Sequence, residues 1–185
     1  MAGNTKERVT LGDKTFKLSI PYEKLNSAID VIAARINEDY KGKETPLFLG
    51  VLNGAFMFIS ELLQKIEFDC EVSFVKLSSY HGTSSTGTVT ELIGLKDNIR
   101  GRHVIIVEDI VDTGESISHL MNSLVGHQPA SLEIATMLFK PDSYKKEYRI
   151  KYPAMEIPND FIVGFGLDYN QLGRNLRDIY QIIDE

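Results

Sequence analysis

A single cysteine, Cys70, excludes any intrachain disulfide and any metal centre built from several thiolates of one chain. Its place in an apolar run predicts a buried, unreactive thiol. No apolar run approaches the roughly 20 residues that span a bilayer. The opening residues, Met1 to Arg8, place no apolar stretch behind a basic cluster. A soluble, cytoplasmic protein with no membrane partner is expected. Basic charge is scarce: 20 Lys and Arg against 26 Asp and Glu give a net charge of -6, which argues against a general nucleic-acid surface. Lys145, Lys146 and Lys151 are the nearest approach to a basic patch. They alternate with Glu147, Tyr148 and Tyr152, so they read as a solvated face. An acidic chain that takes an anionic ligand must hold it locally, by backbone dipoles, a few basic side chains and a bound cation.

With 185 residues and 43% apolar content, one domain of ordinary size is expected, without a repeat or low-complexity segment. Leu25, Ile29, Ile32 and Ile36 form one helical stripe after Pro21. Pro46 to Leu52 is a continuous apolar run suited to a strand covered on both faces. Ala55, Ile59, Leu62, Leu63 and Ile66 return to helical spacing. Glu71 to Ser79 and Val89 to Leu95 have strand character, separated by a Gly- and hydroxyl-rich loop from Tyr80 to Thr88. His103 to Val107 predicts a buried strand, and Ile117, Leu120, Met121 and Leu124 a helix ended by Gly126. Leu132 to Phe139 and Phe161 to Val163 are further strands, with a charged, tyrosine-rich insertion between them. This alternation predicts an α/β fold: a doubly wound, mainly parallel sheet with helices on both faces. Ligands in such sheets sit beyond the carboxyl ends of the strands. Asn53-Gly54, the run after Val107 and Lys140-Pro141 all fall there.

The run Val107-Glu108-Asp109-Ile110-Val111-Asp112-Thr113-Gly114-Glu115-Ser116 holds most of the chemistry. Carboxylates and hydroxyls suit a hard cation such as Mg²⁺ and the proton transfers around it. A Thr-Gly turn opening a helix offers N–H groups to a phosphate. A phosphorylated, metal-bound ligand fits both. The plain alternative is a strand ending in solvated acids and a helix cap. Asp112-Thr113-Gly114 also matches the aspartic-protease triplet, but one copy before a helical stripe contradicts the all-β setting that chemistry needs. A P-loop is excluded, since G-x-x-x-x-G-K-[ST] does not occur.

The run resembles the 5-phosphoribosyl-1-pyrophosphate (PRPP) signature of the phosphoribosyltransferases, and in its full form the hypoxanthine-guanine branch. The resemblance continues through Val51-Leu52-Asn53-Gly54, Ser79-Tyr80, Lys140, Phe161 to Asn170, and Arg174, spanning roughly residues 45 to 178. It implies one domain over 1–185, with a core from about 25 to 140 and a small hood made of N-terminal residues and about 141–185. It further implies transfer of ribose 5-phosphate from PRPP to hypoxanthine or guanine, with Mg²⁺, in a homodimer or homotetramer.

Carried over residue by residue, the resemblance gives Glu108 and Asp109 to the ribose hydroxyls and the Mg²⁺ they hold. Asp112 becomes the general base at N7 of the purine. Thr113, Gly114, Glu115 and Ser116 cradle the 5'-phosphate, with the Glu115 side chain expected to point to solvent. Leu52, Asn53 and Gly54 hold pyrophosphate, with a cis peptide expected at Leu52-Asn53; a hairpin turn is the competing reading of Asn-Gly. Lysine is usual in the family where this chain has Asn53, which removes a positive charge from that turn. Arg174 is implied as a second pyrophosphate contact, against the alternative of a surface arginine at a helix start. Lys140 can only donate hydrogen bonds, so it suits O6 of a 6-oxopurine and opposes the amino group of adenine. Phe161 would stack on the base, or be plain core, and the backbone of Ile162 would meet the purine's far edge. Asp168 is implied as the ligand of a second Mg²⁺, against a simple turn aspartate. Ser79 and Tyr80 begin a lid. A rival of another class is a PRPP-sensing, nucleic-acid-binding regulator on the same fold.

Overall fold

The structure is a computed structural model that describes residues 6–79, 89–93, 95 and 97–183. Its main sheet has six strands. These are β3 (Leu47–Leu52), β4 (Glu71–Ser79), β5 (Val89–Ile93), β6 (His103–Val111), β7 (Ser131–Phe139) and β8 (Tyr152–Glu156), in the order β5-β4-β3-β6-β7-β8. All neighbours are parallel except β4 and β5. A second, antiparallel sheet joins β1 (Arg8–Leu11), β2 (Lys14–Ile20), β9 (Ile162–Val163) and β10 (Ile179–Ile182) in the order β1-β2-β10-β9.

Among the described residues three helices cover the main sheet: α1 (Tyr22–Tyr40), α2 (Phe56–Leu63) and α3 (Glu115–Val125). Pro21 precedes the first helical residue in extended conformation, and Glu23 adds a negative charge to the first turn of α1, where the helix dipole favours it. Leu25, Ile29, Ile32 and Ile36 of α1 are buried with Phe58, Ile59 and Leu62 of α2 against Phe48, Ile105, Val107 and Ala135 on one face. Ile117, Leu120, Met121 and Leu124 of α3 pack with Leu47, Leu49, Val104 and Ile106 on the other. Successive residues of β3 and β6 thus feed opposite layers, which is why both strands read as unbroken apolar runs. Each such fully buried aliphatic side chain contributes about 1.5–3 kcal/mol. No helix among the described residues is long and apolar enough to cross a membrane.

Several elements differ from expectation. β6 does not stop at Val107: its pairing with β7 runs on through Ile110↔Leu138 and Val111↔Phe139, so backbone hydrogen bonds outlast the apolar pattern. β8 lies inside the charged, tyrosine-rich insertion and extends the main sheet beyond the expected core boundary near 140. It carries Pro153, which an edge strand tolerates. Gly126 ends α3 without the left-handed conformation that makes glycine special there (φ -60°). Cys70 is half-buried rather than buried, and packing raises its thiol pKa. Lys151 is not simply solvated; its ammonium meets Asp39 and Glu133. Ser79 ends β4, while Tyr80 and the rest of the expected lid loop to Thr88 lie outside the described residues.

Candidate active site

The chain reverses its direction of winding at β3. From β3 it moves to β4 on one side, and β6, β7 and β8 then build outward on the other. Pairing between β3 and β6 ends at Gly50↔Val107, so beyond Val107 the two strands part and leave a crevice at their carboxyl ends. Ligands bind at such switch points. A cleft of about 280 Å³ lies at the carboxyl end of β6, lined by Glu108 to Ile117.

Because β6 continues through them, Glu108 and Asp109 sit on a paired strand with fixed direction. Burial, reinforced by the neighbouring Asp109 charge, pushes Glu108 well above the usual carboxylate range, and its Oε2 is buried without a hydrogen-bond partner. Asp109 is also raised by burial, an effect offset in part by Glu108, by the Ile110 N–H donating to its Oδ1 at 2.8 Å, and by the Arg174 guanidinium. Two desolvated acids side by side, one with an orphaned oxygen, suit a divalent cation. No group of three or more His, Cys, Asp or Glu side chains gathers among the described residues. The pair therefore fits an ion such as Mg²⁺, which takes one or two carboxylates and completes its shell with waters and substrate oxygens.

The expected pyrophosphate turn meets these acids directly. The Leu52-Asn53 peptide is cis, as the resemblance implied, and the turn leads into α2 rather than a hairpin. A Cβ at Gly54 would lie 1.5 Å from Oδ2 of Asp109, so glycine is required there by close approach. On its other side the Gly54 carbonyl touches Gly166, whose own Cβ would come within 2.0 Å of it and whose φ of +101° suits only glycine. Gly166 accepts a hydrogen bond from Arg174 at 2.8 Å. Arg174 also pairs with Asp168 at 2.5 Å, and Asp168 accepts the Gln171 N–H at 2.7 Å. Asp168 thus makes the contacts of a turn aspartate, and Arg174 lies in a bridged loop rather than at a helix start. These contacts join Gly54, Asp109, Asp168 and Arg174 in one place, and Asn53 lines a shared cleft with Arg174. Gly166 was not among the expected site residues; its signal in the sequence is its position in the Gly164-Phe165-Gly166 run.

Beside the cleft, Lys140 follows β7 and is anchored through its N–H on the Val111 carbonyl at 3.0 Å. Its ammonium, 7% exposed as a residue, reaches Asp112 Oδ2 at 2.8 Å, while the carboxylate is nearly half exposed. Gly114, at φ +82°, turns the chain into α3, and Ser118 donates to its carbonyl at 2.9 Å. The first amides of α3 have no acceptor within the helix, and they face the same end of the sheet as Thr113 and Ser116. Glu115 is largely exposed as expected but is not free: its carboxylate pairs with Lys146 at 2.6 Å. Lys146 is thereby a second correction to the solvated reading of the lysine cluster. Phe161 and Ile162 are outside the stretch Glu108 to Ile117 that lines this cleft and stand at the antiparallel sheet. Phe161 is 47% exposed beside Phe16 and Tyr169, and Ile162 is buried in β9, paired across from Gln181.

Residues 21–170 match the family described as phosphoribosyl transferase domain. The chain belongs to the phosphoribosyltransferase family. It is 38% identical to the hypoxanthine-guanine phosphoribosyltransferase of Streptococcus pneumoniae over 161 residues, covering 86% of this chain and 89% of the relative. It is 43% identical to the enzyme of the same name from Streptococcus agalactiae over 146 residues, 78% and 81% of the two chains. Among solved structures, the hypoxanthine-guanine phosphoribosyltransferase of Bacillus anthracis superimposes with a TM-score of 0.85 at 34% identity, over 90% of this chain and 98% of that one. The hypoxanthine phosphoribosyl transferase of Trypanosoma cruzi gives 0.86 at 32% identity, over 95% of each. The parallel sheet with its helices is therefore the fold of this branch of the phosphoribosyltransferases, with the antiparallel sheet in the position of a hood.

Proposed function

We propose that this phosphoribosyltransferase converts hypoxanthine, and guanine, with PRPP into the nucleoside 5'-monophosphate and pyrophosphate. One observation carries the assignment of the base: a carboxylate and an ammonium, Asp112 and Lys140, paired at 2.8 Å beside a phosphate turn. A 6-oxopurine presents N7–H and O6 on one edge, one donor and one acceptor, which such a pair complements. Adenine presents an amino group to the lysine and is disfavoured.

In the reaction, N9 of the purine bonds to the anomeric carbon of the ribose. The bond from that carbon to the pyrophosphate oxygen breaks, and its electron pair departs with pyrophosphate. The proton on N7 passes to Asp112 as N9 bonds, while Lys140 stabilises the charge drawn toward O6. Thr113, Ser116 and the first amides of α3 hold the 5'-phosphate. Asn53, Gly54 and Arg174 receive pyrophosphate, and Asp168 serves that end of the site. Phe161 and the backbone of Ile162 bound the purine from the hood, and Ser79 and Tyr80 begin the lid that excludes water. Glu108 and Asp109 hold the ribose hydroxyls. Glu108 and Asp109 would hold one Mg²⁺ together with PRPP and Asp168 a second, and these ions would neutralise charge on the departing polyanion. The protein is expected to act in the cytoplasm as a homodimer or homotetramer.

Incubation with PRPP, Mg²⁺ and each of hypoxanthine, guanine, xanthine and adenine tests the reading. Nucleotide from hypoxanthine but not adenine is expected. No nucleotide from any base, together with salt-sensitive nucleic-acid binding near physiological ionic strength, would favour the regulator instead.

A further inference from the structure

Glu115 places a negative charge in the turn that would cradle a phosphate. At the first residue of α3 it is favourable for the helix dipole, yet it repels any dianion bound at the same amides. A segment outside the recognised motif answers it. Residues 144–148, between β7 and β8, lie across this turn. The Tyr144 ring and the Lys146 stem cover Gly114 so closely that a Cβ there would come within 2.4 Å of the ring and 2.9 Å of Lys146 Cγ. The Lys145 N–H donates to the Thr113 carbonyl at 3.4 Å. The strap is fixed at its far end, where Tyr144 donates to the Tyr148 carbonyl and Tyr148 donates to Asn122 Oδ1 on α3, both at 2.6 Å.

Held this way, Lys146 reaches Glu115 at 2.6 Å, with side chains 25% and 71% exposed respectively. An ion pair this open to solvent contributes little to stability. Its location is the informative part. We infer that Lys146 sets the affinity of this turn for the 5'-phosphate by neutralising Glu115, a positioning role that rests on the function proposed above. The strap supplies from a distant part of the chain the positive charge that the turn's own sequence lacks. A unit charge acting on a dianion at roughly 6 Å in water changes binding about tenfold.

Titration calorimetry with PRPP and with inosine 5'-monophosphate, on wild type, Lys146→Met, Glu115→Gln and the double variant, tests the inference. Lys146→Met should weaken both ligands about tenfold, and Glu115→Gln should tighten them about threefold, because it frees the ammonium for the phosphate. The double variant should return to within about threefold of wild type. Lys146→Arg should keep wild-type affinity. A merely structural clamp gives a different pattern: Glu115→Gln weakens binding as much as Lys146→Met, and the double variant is no better than either. That pattern, with base transfer intact, overturns this inference alone. The opposite-sign pattern without transfer to any base counts against the proposed reaction alone, and a wild-type protein that binds neither ligand overturns both.

Discussion

A methyl group added at position 54 would stand 1.5 Å from Oδ2 and 2.3 Å from Cγ of Asp109. Ordinary van der Waals contact requires more than 3 Å, so the carboxylate or the turn must shift by roughly 2 Å. Neither side yields easily. Asp109 is buried on a strand paired to β7, and the Gly54 carbonyl already abuts Gly166. Misplacing a positioning group by about 1 Å costs on the order of 100-fold in rate. Gly54→Ala is therefore expected to lower kcat/KM for PRPP at least about 100-fold. The crowding itself costs about 1–3 kcal/mol, which for a chain of this size lowers Tm by several degrees. Gly126→Ala is the control. Its φ is -60° and the nearest atom to a new Cβ is 3.6 Å away, so activity should be unchanged and stability equal or higher by up to about 1 kcal/mol. Steady-state kinetics with varied PRPP and thermal melts of both variants decide the matter. A Gly54→Ala enzyme within about fivefold of wild type would show that the turn is not wedged on Asp109.

Three further outcomes are expected. Asp112→Asn should lower kcat by about 100-fold or more while leaving PRPP affinity within a few fold, since general-base catalysis is worth about 10²–10⁴; equal loss of both would contradict the proton-accepting role. Lys140→Met removes the donor proposed for O6, so the preference for hypoxanthine over adenine, read from the ratio of kcat/KM values, should narrow about 10- to 100-fold; an unchanged ratio would place base selection elsewhere. Asp39, near the amino end of the sheet, is held below its ordinary value of 3.8 by the Tyr152 hydroxyl and then by Lys151. Its contribution is full above that value and is lost as pH falls through the lower folded value. Asp39→Asn should therefore destabilise the protein at neutral pH and flatten the acid limb of a Tm-against-pH curve below about pH 4; an acid limb of unaltered steepness would show that the carboxylate is not so held.

Local patterns set the central strands and helices. The stripes Leu25-Ile29-Ile32-Ile36 and Ile117-Leu120-Leu124 each require burial on one face and the run Leu47 to Leu52 on both, and two layers of helix over a parallel sheet satisfy all of them. The signature from Glu108 to Ser116 was legible for the same reason: its chemistry is contiguous in sequence, so its residue types and order suffice to read a phosphate turn beside paired acids. Tertiary structure decided whatever depends on a distant partner. Glu108 and Asp109 stand on a strand because β7 continues to pair with them beyond the apolar run. Gly54 must be glycine because a carboxylate more than fifty residues away fills the space of its side chain, and Gly166 because the Gly54 carbonyl fills its own. Asp112 and Lys140 become one unit only where β6 and β7 end side by side. The lysine cluster read as plain solvated charge until the chain folded Lys146 onto Glu115. Periodicity records which face of an element is buried, but not which distant charge or carbonyl will lie against it, and in this protein those long-range neighbours define the site.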